Sequence, residues 1–256
     1  MQKTVLVVGT STGIGRNCAV DLAQRGWKVL ASVRNPGDAP IHEQITEILL
    51  DVTKDCHSLG ELELDAVVYN AGIVVAGPLE LIPESTFNHQ LDVNLLGAMR
   101  VVRATMPTLR LHRGRMVFVG SISGRVATPL TGAYNISKFG LAGLSDALRR
   151  EVRSQGVQVA CIEPGAVDTP IWDKSRHAAA EIFSTTDFGP YTVGMEKTKR
   201  ESAAAAERAI APQHVSRAIR KALTTRRCNA RYLVGVDARI GAFMQRLCPT
   251  FLDRLL

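Results

Sequence analysis

Short apolar runs rich in β-branched residues alternate along this chain with stretches of helical periodicity. Thr4–Val8, Lys28–Val33, Glu47–Leu50, Ala66–Tyr69, Met116–Val119 and Val157–Ile162 read as strands, and Arg231–Val236 as a last one. Their apolar positions are nearly continuous rather than alternating, as in strands covered on both faces. Between them Gly13–Arg25, Glu84–His112 and Thr131–Ser154 read as helices, with a terminal helix after the last strand. The pattern predicts an α/β fold: a doubly wound parallel sheet of about seven strands with helices on both faces, one domain over residues 1–256.

Two stretches interrupt the alternation. Val52–Asp65 leaves room only for a short, poor helix containing Gly60. Residues 171–211 read as irregular, with Gly189-Pro190, Gly194 and the alanine run Ala203–Ala206. An insertion of that length in a compact domain is expected to be a substrate lid.

Composition narrows the class. Hydrophobic residues make up 46% and charged residues 21% of 256, enough apolar material to exclude a disordered chain. No apolar run approaches the roughly 18–20 residues of a membrane-spanning helix. The start runs too quickly into a glycine motif to be a signal peptide. Cys18, Cys56, Cys161, Cys228 and Cys248 are odd in number, scattered and never in a CxxC spacing. Reduced thiols in a cytoplasmic protein are expected, with no disulfide frame and no metal site.

The formal net charge of +7 is confined to one end. Residues 1–213 are balanced, whereas nine Lys and Arg between Arg217 and Arg254 face only Asp237 and Asp253. No interleaved aromatics or recognised module accompany them, so a nucleic-acid partner is not expected. In residues 238–256 the apolar Ile240, Phe243, Met244 and Leu247 recur at helical spacing among Arg239 and Arg246, followed by Leu252, Leu255 and Leu256. Such a basic amphipathic tail suits either packing against protein or peripheral contact with an anionic membrane.

Candidate chemistry begins after the first strand, at Gly9-Thr10-Ser11-Thr12-Gly13-Ile14-Gly15. Glycines there let the backbone turn tightly and approach a pyrophosphate at the N-terminus of the following helix. The end of the second strand discriminates between dinucleotides. An NAD site places an acid there to accept from the ribose 2′-hydroxyl, but this chain reads Ala31-Ser32-Val33-Arg34. The missing acid and the Arg34 guanidinium, suited to a 2′-phosphate, favour NADP(H) over NAD(H). Arg16 reads as a helix-surface residue, with a second phosphate contact as the alternative.

Tyr134 and Lys138 stand at i and i+4 on one helical face. A free phenol has a pKa near 10, and an adjacent cation favours its phenolate, giving a proton donor or acceptor for catalysis.

Gly9-x3-Gly13-Ile14-Gly15, Leu50-Asp51-Val52, Asn70-Ala71-Gly72, Val93-Asn94, Gly120-Ser121, Tyr134-x3-Lys138 and Pro164-Gly165 with Thr169 follow in order. In this the chain resembles the short-chain dehydrogenase/reductase family. VLASVRNP and the C-terminal ARYLVGVDAR look most like its 17β-hydroxysteroid and retinol dehydrogenase branch. The resemblance implies a Rossmann-like domain carrying out hydride transfer between a carbonyl and an alcohol. It implies a catalytic set of Asn94, Ser121, Tyr134 and Lys138, with Tyr134 as general acid or base and Ser121 on the substrate oxygen. Lys138 is implied to hold the nicotinamide ribose, and Asn94 to distort its helix and anchor a proton-relaying water. Cofactor contacts are implied at Gly9, Ser11, Thr12, Gly13, Ile14, Gly15, Arg34, Asp51, Val52, Asn70, Ala71, Gly72, Tyr134, Lys138, Pro164, Gly165, Val167 and Thr169. Of these, Asp51 and Val52 are implied to flank the adenine.

The chain departs from the family pattern at Val8, where Thr is usual, at Tyr69, where Asn is usual, and in the shortened segment after Asp51. The first departure predicts a missing structural hydrogen bond. Ile171, Trp172, Ile182, Phe183, Phe188, Tyr191 and Met195 are expected to line an apolar pocket for a steroid-, retinoid- or lipid-like substrate, half of them alternatively serving as core. A homodimer or homotetramer is the assembly the family implies. The competing reading is a catalytically silent NADP(H)-binding sensor or scaffold of the same fold, against which the intact catalytic set argues.

Overall fold

The computed structural model describes residues 2–247, 249 and 250. Seven parallel strands form one sheet in the order β3-β2-β1-β4-β5-β6-β7: β1 Thr4–Val8, β2 Lys28–Val33, β3 Ile45–Leu49, β4 Ala66–Tyr69, β5 Arg115–Val119, β6 Gln158–Pro164 and β7 Arg231–Val234. The helices are α1 Gly13–Ala23, α2 Glu84–Leu91, α3 Gly97–Leu111, α4 Gly132–Glu151, α5 Ile171–Ile182, α6 Thr192–Glu207, α7 Pro212–Thr224 and α8 Val236–Leu247.

Successive side chains of a strand point to opposite faces, and here both faces are buried. Leu6, Leu30, Val67, Phe118 and Val159 pack on one side with Val101 and Leu109 of α3 and Leu141 of α4. Val5, Val7, Val29, Val68 and Ile162 pack on the other with Leu22 of α1 and Ile219 of α7. This explains the near-continuous apolar runs. Strand order reverses between β1 and β4, so their C-terminal ends open a crevice where α/β folds bind ligands.

Two expectations need correction. The single helix over 84–112 is divided: a wider π turn at Asp92–Leu96 separates α2 from α3. Residues 171–211 are largely helical, not irregular. Pro170 precedes α5, whose Ala178–Ala180 favour helix, and α6 carries the Lys197–Glu201 pair at i,i+4 and the alanine run. Gly189-Pro190 marks the break between them rather than general irregularity. After Asp51 the chain forms only a 3-10 turn at His57–Glu61. Of the expected amphipathic tail, α8 is described, whereas Cys248, Leu252, Leu255 and Leu256 lie outside the described residues.

Candidate active site

The glycine loop is shaped by close backbone approach. Gly9 has φ +84°, and a Cβ there would lie 2.9 Å from Ala71 Cα. A Cβ on Gly15 would lie 2.0 Å from the Gly9 carbonyl oxygen, so α1 can start this close to β1 only with glycine. Asn70 Nδ2 donates to that same oxygen at 2.8 Å, tying β4 to the loop across the crevice. Gly13 rests against Thr169, with 3.0 Å from its would-be Cβ to Thr169 Cγ2.

The hydrogen bond missing through Val8 is replaced by contacts the sequence did not reveal. Thr10 Oγ1 and the Thr10 amide donate to Ser32 O at 3.0 and 2.9 Å, and Gly9 N–H donates to Ser32 Oγ at 3.1 Å. Both Thr10 and Ser32 are buried. The parallel register that sets Val8 opposite Ser32 makes this possible.

Gly9, Ser11, Thr12, Gly13, Ile14, Arg34, Asn70, Ala71, Gly72, Ser121, Tyr134, Lys138, Pro164, Gly165, Val167 and Thr169 line one continuous cleft. Arg34 therefore reaches the cleft from the tip of β2. Arg16 does not line it; its Nη1 donates to Asp38 O at 3.1 Å. Gly15 serves packing rather than lining. Asp51 and Val52 also stand away from the cleft lining. Asp51 accepts from the Thr53 amide and hydroxyl at 2.9 and 2.8 Å, which, helped by Lys54 and Arg34, hold its carboxyl below the usual range. Val52 is buried in the core against Gly97.

The π turn has a purpose in the site. A π turn leaves backbone groups of its helix to be satisfied by others. Tyr69, buried at the end of β4, donates its hydroxyl to Val93 O at 2.5 Å. The next residue, Asn94, is fully buried; Oδ1 accepts from Ile73 N–H at 2.8 Å while Nδ2 donates to Ile73 O and Ser137 Oγ, each at 2.9 Å. Tyr69 in place of the usual Asn thus anchors the distorted turn. A Cβ on Gly72 would stand 3.4 Å from Asn94 Oδ1 and 3.7 Å from Lys138 Nζ, which places Gly72 beside both groups.

Ser121 follows β5 and starts a short turn, its Oγ accepting from Ser123 N–H at 3.1 Å. Asn135 fastens this turn to α4: Nδ2 donates to Ser123 O and Val126 O, both at 3.2 Å, and Oδ1 accepts from Thr131 Oγ1 at 2.9 Å. Gly124 permits the same contact, since a Cβ there would lie 2.7 Å from Lys138 O. Neither Asn135 nor Gly124 was expected to act in the site.

Tyr134 and Lys138 are buried on the face of α4 that meets the cleft. Lys138 Nζ donates to Val119 O at 3.0 Å. Burial pushes the Tyr134 phenol up to about 12, opposed by its hydrogen bond with Ser121. Burial lowers Lys138 to about 8, opposed by Cys161. In the cofactor-free protein burial therefore outweighs the phenolate-favouring effect expected of the neighbouring cation. Lys138 nevertheless remains mostly protonated at neutral pH.

A second cavity of about 960 Å³ meets the cleft at Ser121, Tyr134, Gly165 and Trp172. Its walls include Leu79, Ile122, Pro129 and Leu130, with Gly194, Lys197, Thr198, Glu201 and Ala205 along one face of α6. Of the expected lining residues, Trp172 and Tyr191 face it. Ile171 lines the first cleft, Phe183 and Phe188 meet with their rings tilted at 54° and 5.5 Å between centres, and Ile182 packs beside them against Ile82 and Ala133. Met195 is absent from the described lining.

Comparison with known proteins agrees with this construction. The short chain dehydrogenase family model matches residues 3–180. The chain is 36% identical over 197 residues to 3-amino-tetrahydro-pyrrolizinone reductase of Xenorhabdus hominickii, covering 72% of this chain and 68% of that protein. It is 32% identical to retinol dehydrogenase 16 of Mus musculus, covering 99% and 87% of the two chains. A short-chain dehydrogenase of Burkholderia cenocepacia, solved in complex with NADP, superimposes with a TM-score of 0.78 at 22% identity, over 100% and 99% of the chains. With the family model matched across most of the sheet and full-length relatives above 30% identity, the chain belongs to the short-chain dehydrogenase family.

Proposed function

We propose that this family member is an NADP(H)-dependent oxidoreductase interconverting a carbonyl and an alcohol on an apolar substrate. The observation that carries the reading is the meeting of the two cavities at Ser121 and Tyr134. One cavity is a glycine-bordered cleft at a helix N-terminus and the other is a mainly apolar chamber. A reacting carbon at their junction lies beside both proton-transfer and oxyanion-stabilising groups.

The cleft fits a nicotinamide dinucleotide: its glycines admit a pyrophosphate and Arg34 stands at the 2′-phosphate end. When bound, the cofactor supplies or accepts the hydride. Ser121 hydrogen-bonds the substrate oxygen and stabilises the charge developing on it. Tyr134 gives its phenolic proton to that oxygen in reduction and takes one in oxidation. Lys138, charged at neutral pH, opposes through its charge the burial that raises the Tyr134 phenol and holds the ribose hydroxyls. Asn94, held by Ile73 and Ser137 near Lys138, is read as the anchor of a proton-relaying water. Asp51 is retained as an adenine neighbour only through its position near Arg34. Trp172 on α5 and the lining face of α6 act as the lid. Glu80, and Lys197 and Glu201 of α6, in the chamber wall fit a substrate with an apolar body and a polar far end.

Titration of NADPH fluorescence, followed by NADPH oxidation across a panel of steroid, retinoid and aliphatic ketones, tests the proposal. Micromolar NADPH binding with turnover of the apolar carbonyls is the expected result. Tight binding without turnover would favour the silent sensor, and failure to bind NADPH would overturn the reading.

Ile136 and Phe139, exposed on α4 around a shallow groove with Leu79, support a homo-oligomer formed through this face. Among the described residues no helix is long and apolar enough to cross a membrane. The tail is read as a peripheral contact at most.

A further inference from the structure

Asp237 lies in the first turn of α8, far in sequence from every catalytic residue, yet its carboxylate reaches the turn that leaves β6. Asp237 Oδ2 accepts from Ala166 N–H at 2.7 Å. The carboxylate lies against two glycines. A Cβ on Gly165 would lie 2.0 Å from Oδ2, and one on Gly235 would lie 2.3 Å from Oδ1. Gly235 also has φ +109°, a conformation that side-chain-bearing residues rarely adopt. The two glycines are brought together by the β6–β7 pairing, which ends at Pro164 opposite Val234 and continues with Gly165 N–H donating to Val234 O at 3.0 Å. The site for this carboxylate is therefore built from the ends of both strands.

Farther along α8, Gly241 approaches the turn begun by Ser121, with 3.5 Å from its would-be Cβ to Ile122 Cγ1. The helix thus touches both turns that flank the junction of the two cavities. Gly165 lines both cavities, so the position of its peptide sets the width of the cleft where the nicotinamide end of the cofactor would lie. Nothing within the turn itself takes the Ala166 N–H; the acceptor comes from α8.

We infer that Asp237 is a positioning residue for the nicotinamide end of the cleft, through which the C-terminal helix is coupled to cofactor binding. The inference rests on the dinucleotide reading of the cleft. Its distinctive consequence is a division between the two halves of the ligand. Loss of the Asp237 acceptor loosens the Gly165–Val167 turn, which touches the nicotinamide half, and leaves the Gly9–Gly15 loop and Arg34 unchanged. Asp237 is solvent-exposed, so its replacement leaves no buried hole and the variants fold.

The experiment compares wild type, Asp237→Ala and Asp237→Asn. NADPH binding is measured by fluorescence and adenosine 2′,5′-bisphosphate, which lacks the nicotinamide half, by calorimetry. Asp237→Ala should weaken NADPH about fivefold, the equivalent of one solvent-exposed hydrogen bond, with adenosine 2′,5′-bisphosphate unchanged within about twofold. Asp237→Asn, whose amide oxygen still accepts from Ala166, should restore NADPH affinity. Hydrogen exchange at the Ala166 amide should rise in cofactor-free Asp237→Ala. Unchanged NADPH affinity, or equal weakening of both ligands, would overturn the inference. Wild type binding neither nucleotide would overturn the cofactor reading and the inference with it, and Ala166 exchange would then show whether the anchor itself exists.

Discussion

Lys138 Nζ stands 5.6 Å from the centre of the Tyr134 ring, with both side chains buried at the junction of the two cavities. A single turn of α4 brings an ammonium and a phenol together where water is scarce. The phenolic hydroxyl is the only part of Tyr134 that the proposed proton transfer needs. Tyr134→Phe should therefore lower kcat by at least about a thousandfold, the upper part of the range for general acid–base groups. NADPH affinity should stay within about threefold, because the ring still fills its place. Stopped-flow turnover beside fluorescence titration makes the comparison. Surviving activity with lost NADPH binding would show that Tyr134 serves the cofactor and not the substrate.

The same pair predicts how stability depends on pH. Burial lowers Lys138 in the folded protein to about 8, against 10.5 for the free side chain. Between those values the unfolded chain binds more protons than the folded one, so stability rises with pH across this window. Below about pH 8 both states hold the proton and the penalty is fully present. The gain from pH 8 to pH 10 should be roughly 2 kcal/mol, taking about 1.4 kcal/mol per pKa unit. Lys138→Met has no ammonium to discharge and should lack that rise. Urea unfolding of the cofactor-free proteins at several pH values reads the difference. Parallel curves for wild type and variant would mean that Lys138 is not desolvated in the free protein.

Arg34 is proposed to set the cofactor preference in a different way, by charge at the tip of β2. It lines the cleft beside Ser11 and Thr12, and its electrostatic effect reaches Asp51. A guanidinium there matches a 2′-phosphate, whereas a carboxylate matches free ribose hydroxyls. Arg34→Asp should weaken NADPH by about a hundredfold and strengthen NADH, reversing their order of affinity, since a charge-assisted contact is replaced by like-charge repulsion. Calorimetric titration with both nucleotides checks this. An unchanged NADPH-to-NADH ratio would place the phosphate clamp elsewhere.

How much of the site was readable along the chain depended on how local its physics is. Tyr134 and Lys138 share a helical face at any helix position, and the glycine loop follows its strand directly, so spacing raised them as candidates and the ordered set of family motifs gave them weight. Ser32 and Thr10 became partners only when β2 came to lie beside β1 in a register that no local pattern encodes. Asn135 follows Tyr134 in sequence but points about 100° away around the helix, where it meets the Ser123–Thr128 loop. The lid shows the same limit. Trp172 and Phe183 are equally apolar, and only the packing of α5 against Ile82 and Ala133 decides which faces the chamber. The fold was more legible, because continuous apolar runs report burial on two faces without naming the neighbours.

The end of the chain yields a final prediction. Val236, Ile240, Phe243 and Leu247 recur at i, i+4, i+7 and i+11 on α8 and are 71%, 54%, 64% and 58% exposed. Met244, the other apolar residue expected on this face, is half-buried, so packing against the body or a second subunit stays the competing expectation to membrane contact. Arg239 and Arg246 lie on the same helix, and the chain's excess positive charge is concentrated in this region. An apolar stripe among cations matches an anionic membrane surface, where a lipid-like substrate would also reside. The protein should sediment with phosphatidylserine-containing vesicles at low salt and only weakly with phosphatidylcholine vesicles. Raising the salt should release it, as a charge-driven contact requires. Phe243→Asp should lower the bound fraction severalfold, and deletion of residues 249–256 should lower it further. A protein that ignores both vesicles but changes from dimer to monomer on Phe243→Asp would assign the stripe to a second subunit instead.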